Sequence, residues 1–435
     1  MASLKHLLAL ALLAPSAAFA QSATLRPEVE AAVKSVHNEV VNWRRDFHAH
    51  PELSNREERT AKVVAAELTK LGLKARTGIA HHGVVAIIEG GRPGPRIALR
   101  ADMDALPVTE NNDLPFASKV TTTFNGQSTG VMHACGHDAH TAILLGVAKS
   151  LVAMRKDLPG QIMLIFQPSE EGAPAGEEGG ASLMIKEGLF KDFKPEAVFG
   201  LHVFANVPAG TIAVRSGPEM AASDFFDIEV TGRQTHGARP WGGVDPIVAG
   251  AAIVTNLQTI VSRRTDIAKL PAVLTIGAFN GGIRNNIIPD KVKMLGTLRT
   301  FDPAMRRQII SEMNNVVTHS AQAIGATAKL NIPAEPQTPA TVNNPDLTAK
   351  MLPSLRAAVG AANVTEPPLQ MGAEDFGVYA LQVPSLFFFV GATDPTVDVV
   401  NAPSNHSPFF MLDERSLDVG VRSMLQVSLD YLNQK

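Results

Sequence analysis

The stretch MHACGHDAH (residues 132–140) holds three histidines, the single cysteine of the chain and an aspartate within nine residues. Cys135 and His137 stand two apart, so one irregular loop can aim a thiolate and an imidazole at the same point, and Gly136 adds no side chain between them. The run 139–152 contains good helix formers and apolar residues at three- and four-residue steps, and Asp138 stands where that helix would start. We therefore predict a loop of metal ligands at a helix N-terminus.

Two other interpretations fit the same stretch. A cysteine is often only a small buried apolar residue, and a group of histidines can form a hydrogen-bonded polar patch. A Cys–His pair can also act as a nucleophile without metal. Polar residues in other loops of the chain can distinguish between these interpretations, because a metal site needs further ligands.

The first twenty residues have the composition of a secretory signal peptide. Lys5 and His6 precede the apolar run LLALALL (7–13), and the small-residue ending at Ala20 precedes Gln21. We predict cleavage after Ala20 and export, to a bacterial periplasm. No later stretch reaches the roughly 18 apolar residues of a membrane span. The formal net charge of −3 gives no basic surface for nucleic acid, so we expect neither a membrane nor a nucleic acid as partner.

The order of helical and strand-like patterns predicts an α/β fold. Helical spacing of apolar residues covers 27–47 and 56–71, and β-rich runs follow at 84–88, 97–100 and 161–166. Such alternation is typical of a mostly parallel sheet covered by helices. In that architecture functional residues collect in loops at the carboxyl ends of the strands. The length of the chain also exceeds what one core usually serves, which predicts two domains.

The middle third of the chain follows a different pattern. Strands at 224–232, 272–279, 291–299 and 328–332 and helices at 245–261 and 303–324 occur in the order β-α-β-β-α-β. This order predicts a ferredoxin-like α+β domain, with four strands in one sheet and two helices on one face. We place this inserted domain at 216–333 and the larger, mostly parallel-sheet domain at 21–215 and 334–435.

Polar residues that can bind a metal follow several predicted strands. They are Asp102 and Asp104 after 97–100, Glu170 and Glu171 after 162–166, His202 after 197–201, and Gly391 and His406 beyond 385–390. Adjacent glutamates at a strand end point in different directions, so one can hold a metal while its neighbour faces a substrate. A capped turn or a structural histidine would explain each residue alone. Several strand ends that offer such groups together predict a metal site.

With these motifs in view, the chain resembles the amidohydrolase branch of the zinc-dependent aminoacylase, hippurate hydrolase and carboxypeptidase family. The motifs that carry the resemblance are FHAHPEL (47–53), LRADMDALP (99–107), MHACGHD (132–138), QPSEEG (167–172), GLHV (200–203), THGA (235–238), NIIP (286–289), GAEDF (372–376) and NH (405–406). No single motif is specific, but their joint occurrence in this order is.

The resemblance implies a catalytic domain with two divalent metal ions. The implied ligands are Cys135 in the bridging position, His137, Glu171, His202 and His406. Glu170 would be the general base that takes a proton from metal-bound water and passes it to the leaving amine. A thiolate and three imidazoles favour zinc, although manganese, cobalt or nickel would also be accepted.

The inserted domain, by the same resemblance, is a lid and dimerisation module, so we expect a homodimer or a higher homo-oligomer. His236 would reach the oxyanion formed during attack, in its own or in the partner's active site. Asn286 and Arg299 would hold the free α-carboxylate of the substrate, and Arg284 is the alternative to Arg299. We also assign Gly391 to substrate binding.

One position departs from the family pattern. Where the peptidase branches carry a His-x-Asp ligand pair, this chain has Asp102 and Asp104 around Met103, and His137 supplies the missing imidazole. We therefore place both aspartates outside the ligand set. Asp104 is expected to orient a metal-bound imidazole, because a carboxylate partner raises the basicity of such a ring.

These observations predict an exported, metal-dependent amidohydrolase that cleaves a small N-acyl or N-aroyl amino acid into an organic acid and a free amino acid. A dipeptidase or carboxypeptidase activity in the same site is the first alternative. A binding protein that keeps the metal without turnover is the second. A Cys135 nucleophile that acts without metal is the third, and it predicts activity in the presence of a chelator.

Overall fold

The computed structural model of the chain describes residues 24–434. The predicted signal peptide at residues 1–20 lies outside the described residues. Within 24–434, no helix combines the length and the apolar character that crossing a membrane requires.

Helices and strands alternate along the described chain. The helices are α1 (Pro27–Ala49), α2 (Glu58–Lys70), α3 (His137–Met154), α4 (Gly180–Lys186), α5 (Pro246–Thr259), α6 (Pro303–Gln322), α7 (Pro345–Val359), α8 (Gly377–Ala380) and α9 (Arg415–Leu432). The strands are β1 (Arg76–Ile79), β2 (Gly83–Glu89), β3 (Arg92–Asp102), β4 (Thr121–Phe124), β5 (Gln127–Gly130), β6 (Pro159–Gln167), β7 (Ala197–Pro208), β8 (Ile212–Ala213), β9 (Gly217–Met220), β10 (Ala222–Thr231), β11 (Thr235–His236), β12 (Val273–Gly281), β13 (Ile287–Ile288), β14 (Lys291–Thr300), β15 (Thr327–Asn331), β16 (Thr341–Asn343), β17 (Val364–Thr365) and β18 (Ser385–Thr393).

The larger part of the chain is built on one eight-stranded sheet, in the order β1-β2-β6-β3-β7-β18-β8-β17. Its central strands β6, β3, β7 and β18 are parallel. Along β3, Ile97 and Leu99 belong to one buried apolar cluster and Ala98 to another, and Phe199 and Val198 of β7 divide in the same way. Because successive side chains of a strand point to opposite faces, the sheet is buried on both faces, as parallel sheets are.

The register of these strands brings polar residues to one edge of the sheet. Asp102 at the end of β3 pairs with Gln167 at the end of β6, and Arg100 pairs with Gly200 of β7. His202, two residues beyond Gly200, therefore lies near the level of Asp102. The predicted strand ended before His202, whereas β7 continues past it to Pro208 because β18 pairs along its length.

The helix after the metal-ligand motif begins earlier than predicted, because its cap is Gly136 and not Asp138. α3 starts at His137, and Gly136 caps it in the left-handed region with φ of 101°. Asp138 is therefore not the cap. It is buried in the first turn, where its Oδ2 lies 2.9 Å from Arg44 Nε and 2.8 Å from His48 Nδ1.

The middle of the chain forms a second, antiparallel sheet in the order β12-β14-β10-β15. Alternate residues of β10, namely Phe226, Ile228 and Val230, face α5 and α6 in a separate buried apolar cluster. The order of elements is the predicted β-α-β-β-α-β unit. The predicted fold class is thus confirmed, a mostly parallel α/β sheet with an inserted α+β unit, while the boundaries at 216 and 333 stay predictions.

Gly136 allows a first prediction. A Cβ there would lie 2.3 Å from Val203 Cγ2, whereas a Cβ at Gly126, also left-handed with φ of 77°, would meet nothing within 4 Å. Left-handed backbone costs an alanine about 1–2 kcal/mol at either position. The overlap with Val203 adds about 1–3 kcal/mol only at Gly136. In urea denaturation Gly136→Ala should therefore lose more free energy of unfolding than Gly126→Ala, and equal losses would contradict this account.

Candidate metal centre

A thiolate, three imidazoles and several carboxylates converge at the carboxyl edge of the large sheet. The predicted ligands come from four parts of the fold, and they are Cys135 and His137 at the start of α3, Glu171 after β6, His202 inside β7 and His406 in the segment between β18 and α9. A site assembled in this way depends on the sheet register, because local sequence holds only Cys135 and His137 together.

Cys135 lies at the centre of the group. Its Sγ is 3.2 Å from His202 Nε2 and 3.3 Å from His406 Nε2. The donor atoms of Cys135, His137 and His202 lie within 4.8 Å of one another, and so do those of Cys135, Glu171 and His406. Two groups of three donors therefore share the cysteine. This is the arrangement expected for a thiolate that bridges two metal ions.

The histidine nitrogens that face the centre are prepared to act as metal donors. His202 Nδ1 donates to the Val203 carbonyl oxygen at 2.7 Å, which leaves Nε2 to face Cys135. His137 Nδ1 lies 2.8 Å from the Asp104 carbonyl oxygen. Its Nε2 is buried and has no hydrogen-bond partner among residues 24–434. A backbone or carboxylate partner on one ring nitrogen is the usual way in which a protein directs the other nitrogen to a metal.

The electrostatics of the group also favour cations. Burial raises the pKa of the Cys135 thiol well above its usual range, and the Glu171 and Glu170 carboxylates add to this effect. Burial alone would lower the pKa of His137, but Asp102 and Asp104 raise it to about 10. A site that stabilises a positive imidazole also attracts a metal cation, and a buried thiolate requires positive charge beside it. The donors present therefore fit two divalent ions.

Asp104 lies where it can orient the imidazole of His137, with its Oδ1 at 3.2 Å from His137 Nδ1. The same oxygen accepts a hydrogen bond from the Glu170 backbone N–H at 3.0 Å. Oδ2 accepts from the Glu171 N–H at 3.0 Å and from the Ser54 hydroxyl at 2.7 Å. One carboxylate thus positions both the helix start and the loop that carries the two glutamates.

Those two glutamates point in different directions. Glu171 Oε1 lies 3.2 Å from His406 Nε2, whereas Glu170 Oε2 lies 3.9 Å from His137 Nε2. The preceding residue, Ser169, has a left-handed backbone with φ of 59°, and its N–H donates to Glu57 Oε1 at 2.8 Å. The strained turn gives the two carboxylates different neighbours, although an oxygen of each lies within 4.8 Å of the other.

The environment of Glu170 is poor in compensating charge. Burial raises the pKa of Glu170 well above its usual range, and the carboxylates of Glu374 and Glu171 raise it further. Its Oε1 accepts a weak hydrogen bond from the Asp375 N–H at 3.4 Å. A carboxylate of this kind accepts a proton readily, which suits a general base.

Asp102 stands outside the predicted ligand set, and the structure gives it other partners. Its Oδ1 lies 2.6 Å from His140 Nδ1, and its Oδ2 accepts from Arg100 at 2.7 Å. Oδ2 is 3.8 Å from His137 Nε2. His140 Nε2 in turn accepts from the Val203 N–H at 2.8 Å, beside His202.

Sequence reasoning gave no role to two residues that support the site. His140 is the third histidine of the stretch 132–140, so its place in that motif could have indicated a role. Arg100 is fully buried and donates to Glu374 Oε1 at 2.8 Å and to Asp375 Oδ1 at 2.9 Å, both in the GAEDF motif. Arg100 and Glu374 are 274 positions apart, so no local pattern indicates that they pair. The one available signal was that each lies in a motif that carries the family resemblance.

The predicted lid residues lie on the inserted unit. His236 in β11 pairs with Ile287 of β13, so the THGA and NIIP motifs are side by side. The Asn286 carbonyl oxygen accepts from the Gly237 N–H at 2.8 Å, and Arg299 lies half-buried on β14. Among the described residues, none of these side chains forms a hydrogen bond or ion pair with the metal donors. His236 and Asn286 thus lie side by side, whereas Arg299 pairs with Ser223, at the opposite end of β10 from Thr231 and β11. The structure joins none of the three to the centre.

The assignment of Gly391 to substrate binding stays a prediction, which its surroundings do not favour. Gly391 is buried inside β18, where its N–H donates to the Thr211 carbonyl oxygen and its own carbonyl accepts from the Ser416 hydroxyl. A Cβ at this position would lie 1.8 Å from the Pro208 carbonyl oxygen. The glycine is required by the close approach of two backbone segments, and neither of its polar groups is free for a ligand.

Comparison with known proteins agrees with this geometry. The profile of the family described as peptidase family M20/M25/M40 matches residues 98–430. The chain is 38% identical over 403 residues to thermostable carboxypeptidase 1 of Saccharolobus solfataricus, which covers 92% of this chain and 98% of that one. It is 41% identical over 302 residues to the N-acyl-L-amino acid amidohydrolase of Geobacillus stearothermophilus, and that match covers 69% of this chain and 78% of the other.

A solved structure shows the same fold. The crystal structure of the Bacillus subtilis YXEP protein, described as a dinuclear metal binding peptidase from the M20 family, superposes with a TM-score of 0.76 at 33% identity. The match covers 92% of this chain and 100% of that one. The resemblance found in the sequence is confirmed, and the chain belongs to peptidase family M20/M25/M40 as a metal-dependent hydrolase that acts on amide bonds.

Proposed function

We propose that this protein is an exported amidohydrolase that cleaves N-acyl or N-aroyl amino acids to an organic acid and a free amino acid. The observation that carries the proposal is the position of Glu170, a carboxylate whose Oε2 lies 3.9 Å from His137 Nε2. One of its oxygens lies within 4.8 Å of donor atoms of His137 and Glu171, but Glu170 belongs to neither of the two donor groups that share Cys135. The amidohydrolase of Geobacillus stearothermophilus, by its name, acts on N-acyl-L-amino acids, which supports the same substrate class here.

The chain's own residues would hold two divalent ions, with Cys135 between them. His137 and His202 would complete one site, and Glu171 and His406 the other. When bound, the ions polarise the amide carbonyl and lower the pKa of water to about 7. A thiolate and imidazoles favour zinc, although manganese, cobalt or nickel would also be accepted.

Glu170 moves the proton in this proposal. Its carboxylate takes a proton from the attacking water, and then delivers it to the nitrogen of the leaving amino acid. Burial raises its pKa, so it holds the proton between the two steps. Asp104 keeps Glu170 in place through the backbone N–H, so the base needs no large movement to serve both steps.

The inserted unit would recognise the amino acid part of the substrate. Arg299 is half-buried, and no carboxylate of the described residues forms an ion pair with it, so its planar fork is free for a substrate carboxylate. His236 would donate to the oxyanion, and Asn286 would assist Arg299, with Arg284 as the alternative. These roles, and the homodimer in which the lid would act, stay predictions of the resemblance.

A second candidate is a carboxypeptidase or dipeptidase activity in the same site. The relatives from Saccharolobus solfataricus favour it, since they are named carboxypeptidases. The two candidates differ only in the group on the acyl side of the amide, because both release an amino acid with a free carboxylate. A substrate panel therefore separates them.

Metal removal tests the central claim. The protein, the metal-stripped protein, and the stripped protein given zinc or manganese should be compared on hippurate, N-acetyl-methionine, N-benzoyl-phenylalanine and a dipeptide. We expect hydrolysis of the acylated amino acids to vanish on stripping and to return with one ion, because the donors alone cannot polarise the carbonyl. Faster cleavage of the dipeptide would select the second candidate. Activity in protein shown by metal analysis to be empty would shift the chemistry to Cys135.

Substitution of Glu170 tests the proton step. Glu170→Gln should lower kcat by a factor of about 10²–10⁴ and leave the metal content unchanged, because Glu170 belongs to neither of the two donor groups that share Cys135. Glu178→Gln is the matched control, since Glu178 is an exposed glutamate eight positions along that pairs with Lys186. Full activity of Glu170→Gln, or loss of metal from it, would refute the assigned role.

Export rests on the predicted signal peptide alone. If full-length protein is expressed in a Gram-negative host, the periplasmic fraction should contain a chain that begins at Gln21. Peptide mass spectrometry of the N-terminus measures this directly. Recovery of the intact N-terminus in the cytoplasmic fraction only would count against export.

A further inference from the structure

A second cavity of about 490 Å³ lies away from the metal donors. Its walls come from α1, from the segment after β3 and from the segments on both sides of His406. The residues that matter for its chemistry are Arg44, Phe116, Val397, Phe409 and Met411. Its volume is within the range of roughly 300–1,000 Å³ that is typical of small-molecule sites. None of the five metal donors lines it.

Arg44 gives this cavity a buried positive charge. Its side chain is 2% exposed, and its Nε lies 2.9 Å from Asp138 Oδ2. Its terminal nitrogens have weaker partners, since Nη1 is 3.7 Å from Glu414 Oε1. Among residues 24–434, no acceptor meets Arg44 with hydrogen-bonding geometry. A buried guanidinium with unused donors is costly unless a ligand or water satisfies it.

The acidic residues of the cavity wall already have partners. Glu414 accepts two hydrogen bonds from Arg45, at 2.8 Å and 2.7 Å. Asp413 accepts from Arg415 Nε at 2.9 Å. Asp394, the third carboxylate of the wall, pairs with Arg415 as well. Arg44 is therefore the buried cation of the wall whose terminal nitrogens are left for an anionic ligand.

The rest of the lining is apolar. Phe116 stacks under the Arg44 guanidinium, with the guanidinium carbon 4.9 Å from the ring centroid. Val397 is 45% exposed and Met411 is 54% exposed. Exposed apolar side chains around a buried cationic group suit a ligand with an apolar body and a single anionic end.

We propose that this cavity binds a small aromatic or branched aliphatic monocarboxylate. The carboxylate accepts hydrogen bonds from the terminal nitrogens of Arg44, and the apolar body lies against Phe116, Val397 and Met411. The site is separate from the metal centre, although the two share a wall. Phe410, between Phe409 and Met411, does not line the cavity. It faces the metal loop, since its Cε1 would lie 3.7 Å from a Cβ added at Gly136.

The test uses the metal-loaded enzyme and benzoate as the probe, with benzamide as the neutral compound of the same shape. Equilibrium dialysis should show benzoate at two classes of site, the metal centre and the cavity. Arg44→Met is a poor variant, because it breaks the ion pair with Asp138 beside His137. Val397→Trp instead fills the cavity from an exposed position. Val400→Trp is the control, since Val400 is 85% exposed on the same loop and does not line the cavity.

We expect Val397→Trp to weaken one class of benzoate site by about tenfold or more, and Val400→Trp to leave both classes unchanged. Benzamide should bind the cavity of the unaltered enzyme about tenfold more weakly than benzoate, because it cannot form charge-assisted hydrogen bonds with Arg44. A single class of site, equal binding to Val397→Trp, equal affinity for benzamide, or the same loss in Val400→Trp would each overturn the proposal.

Discussion

The buried carboxylate of Asp104 connects three segments that are far apart in the sequence. It contacts the His137 ring at the start of α3, the backbone of Glu170 and Glu171 after β6, and the Ser54 hydroxyl after α1. Burial alone would raise its pKa, but the hydrogen bonds and the charge of His137 lower the pKa below its usual range. Because a buried charge is tolerated only when it is fully hydrogen-bonded, these three segments have one favourable arrangement. The metal centre depends on that arrangement.

Charge balance explains the acidic group formed by Glu170, Glu374 and Asp375. Glu170, Glu374 and Asp375 lie close enough to repel one another, and Arg100 is the only buried arginine among the described residues that contacts Glu374. Arg100 compensates Glu374 and Asp375 from one side. Burial raises the pKa of Glu170, and the Glu374 and Glu171 carboxylates raise it further. His137 Nε2 comes no closer than 3.9 Å to its Oε2. Cations bound by Cys135 and its neighbours would supply the missing positive charge, so the reactive carboxylate and the metal donors are parts of one electrostatic arrangement.

The features predicted correctly were those that depend on the spacing of apolar residues and on the polar residues that follow strands. The sequence indicated the parallel sheet, the β-α-β-β-α-β insertion and the convergence of Cys135, His137 and Glu171, because parallel strands bring their carboxyl ends together. It did not predict that His202 lies inside β7, since strand length depends on pairing with β18. It also did not predict that Gly391 lies inside β18 against Pro208, because that approach is a tertiary contact. Pairings such as Arg100 with Glu374 have no local pattern to reveal them.

Asp138 shows how the two ends of the metal loop are held. His137 and Asp138 are adjacent, yet the first faces Asp104 and the metal donors while the second faces Arg44 and His48 of α1. Burial disfavours charge on His48, but the Asp138 and Glu110 carboxylates raise its pKa, so this second group is also a charged network. The start of α3 is thus fixed from both sides by buried charges. Since Arg44 also lines the second cavity, a ligand that contacts its guanidinium would act on the same residue that anchors Asp138 next to the metal donor His137.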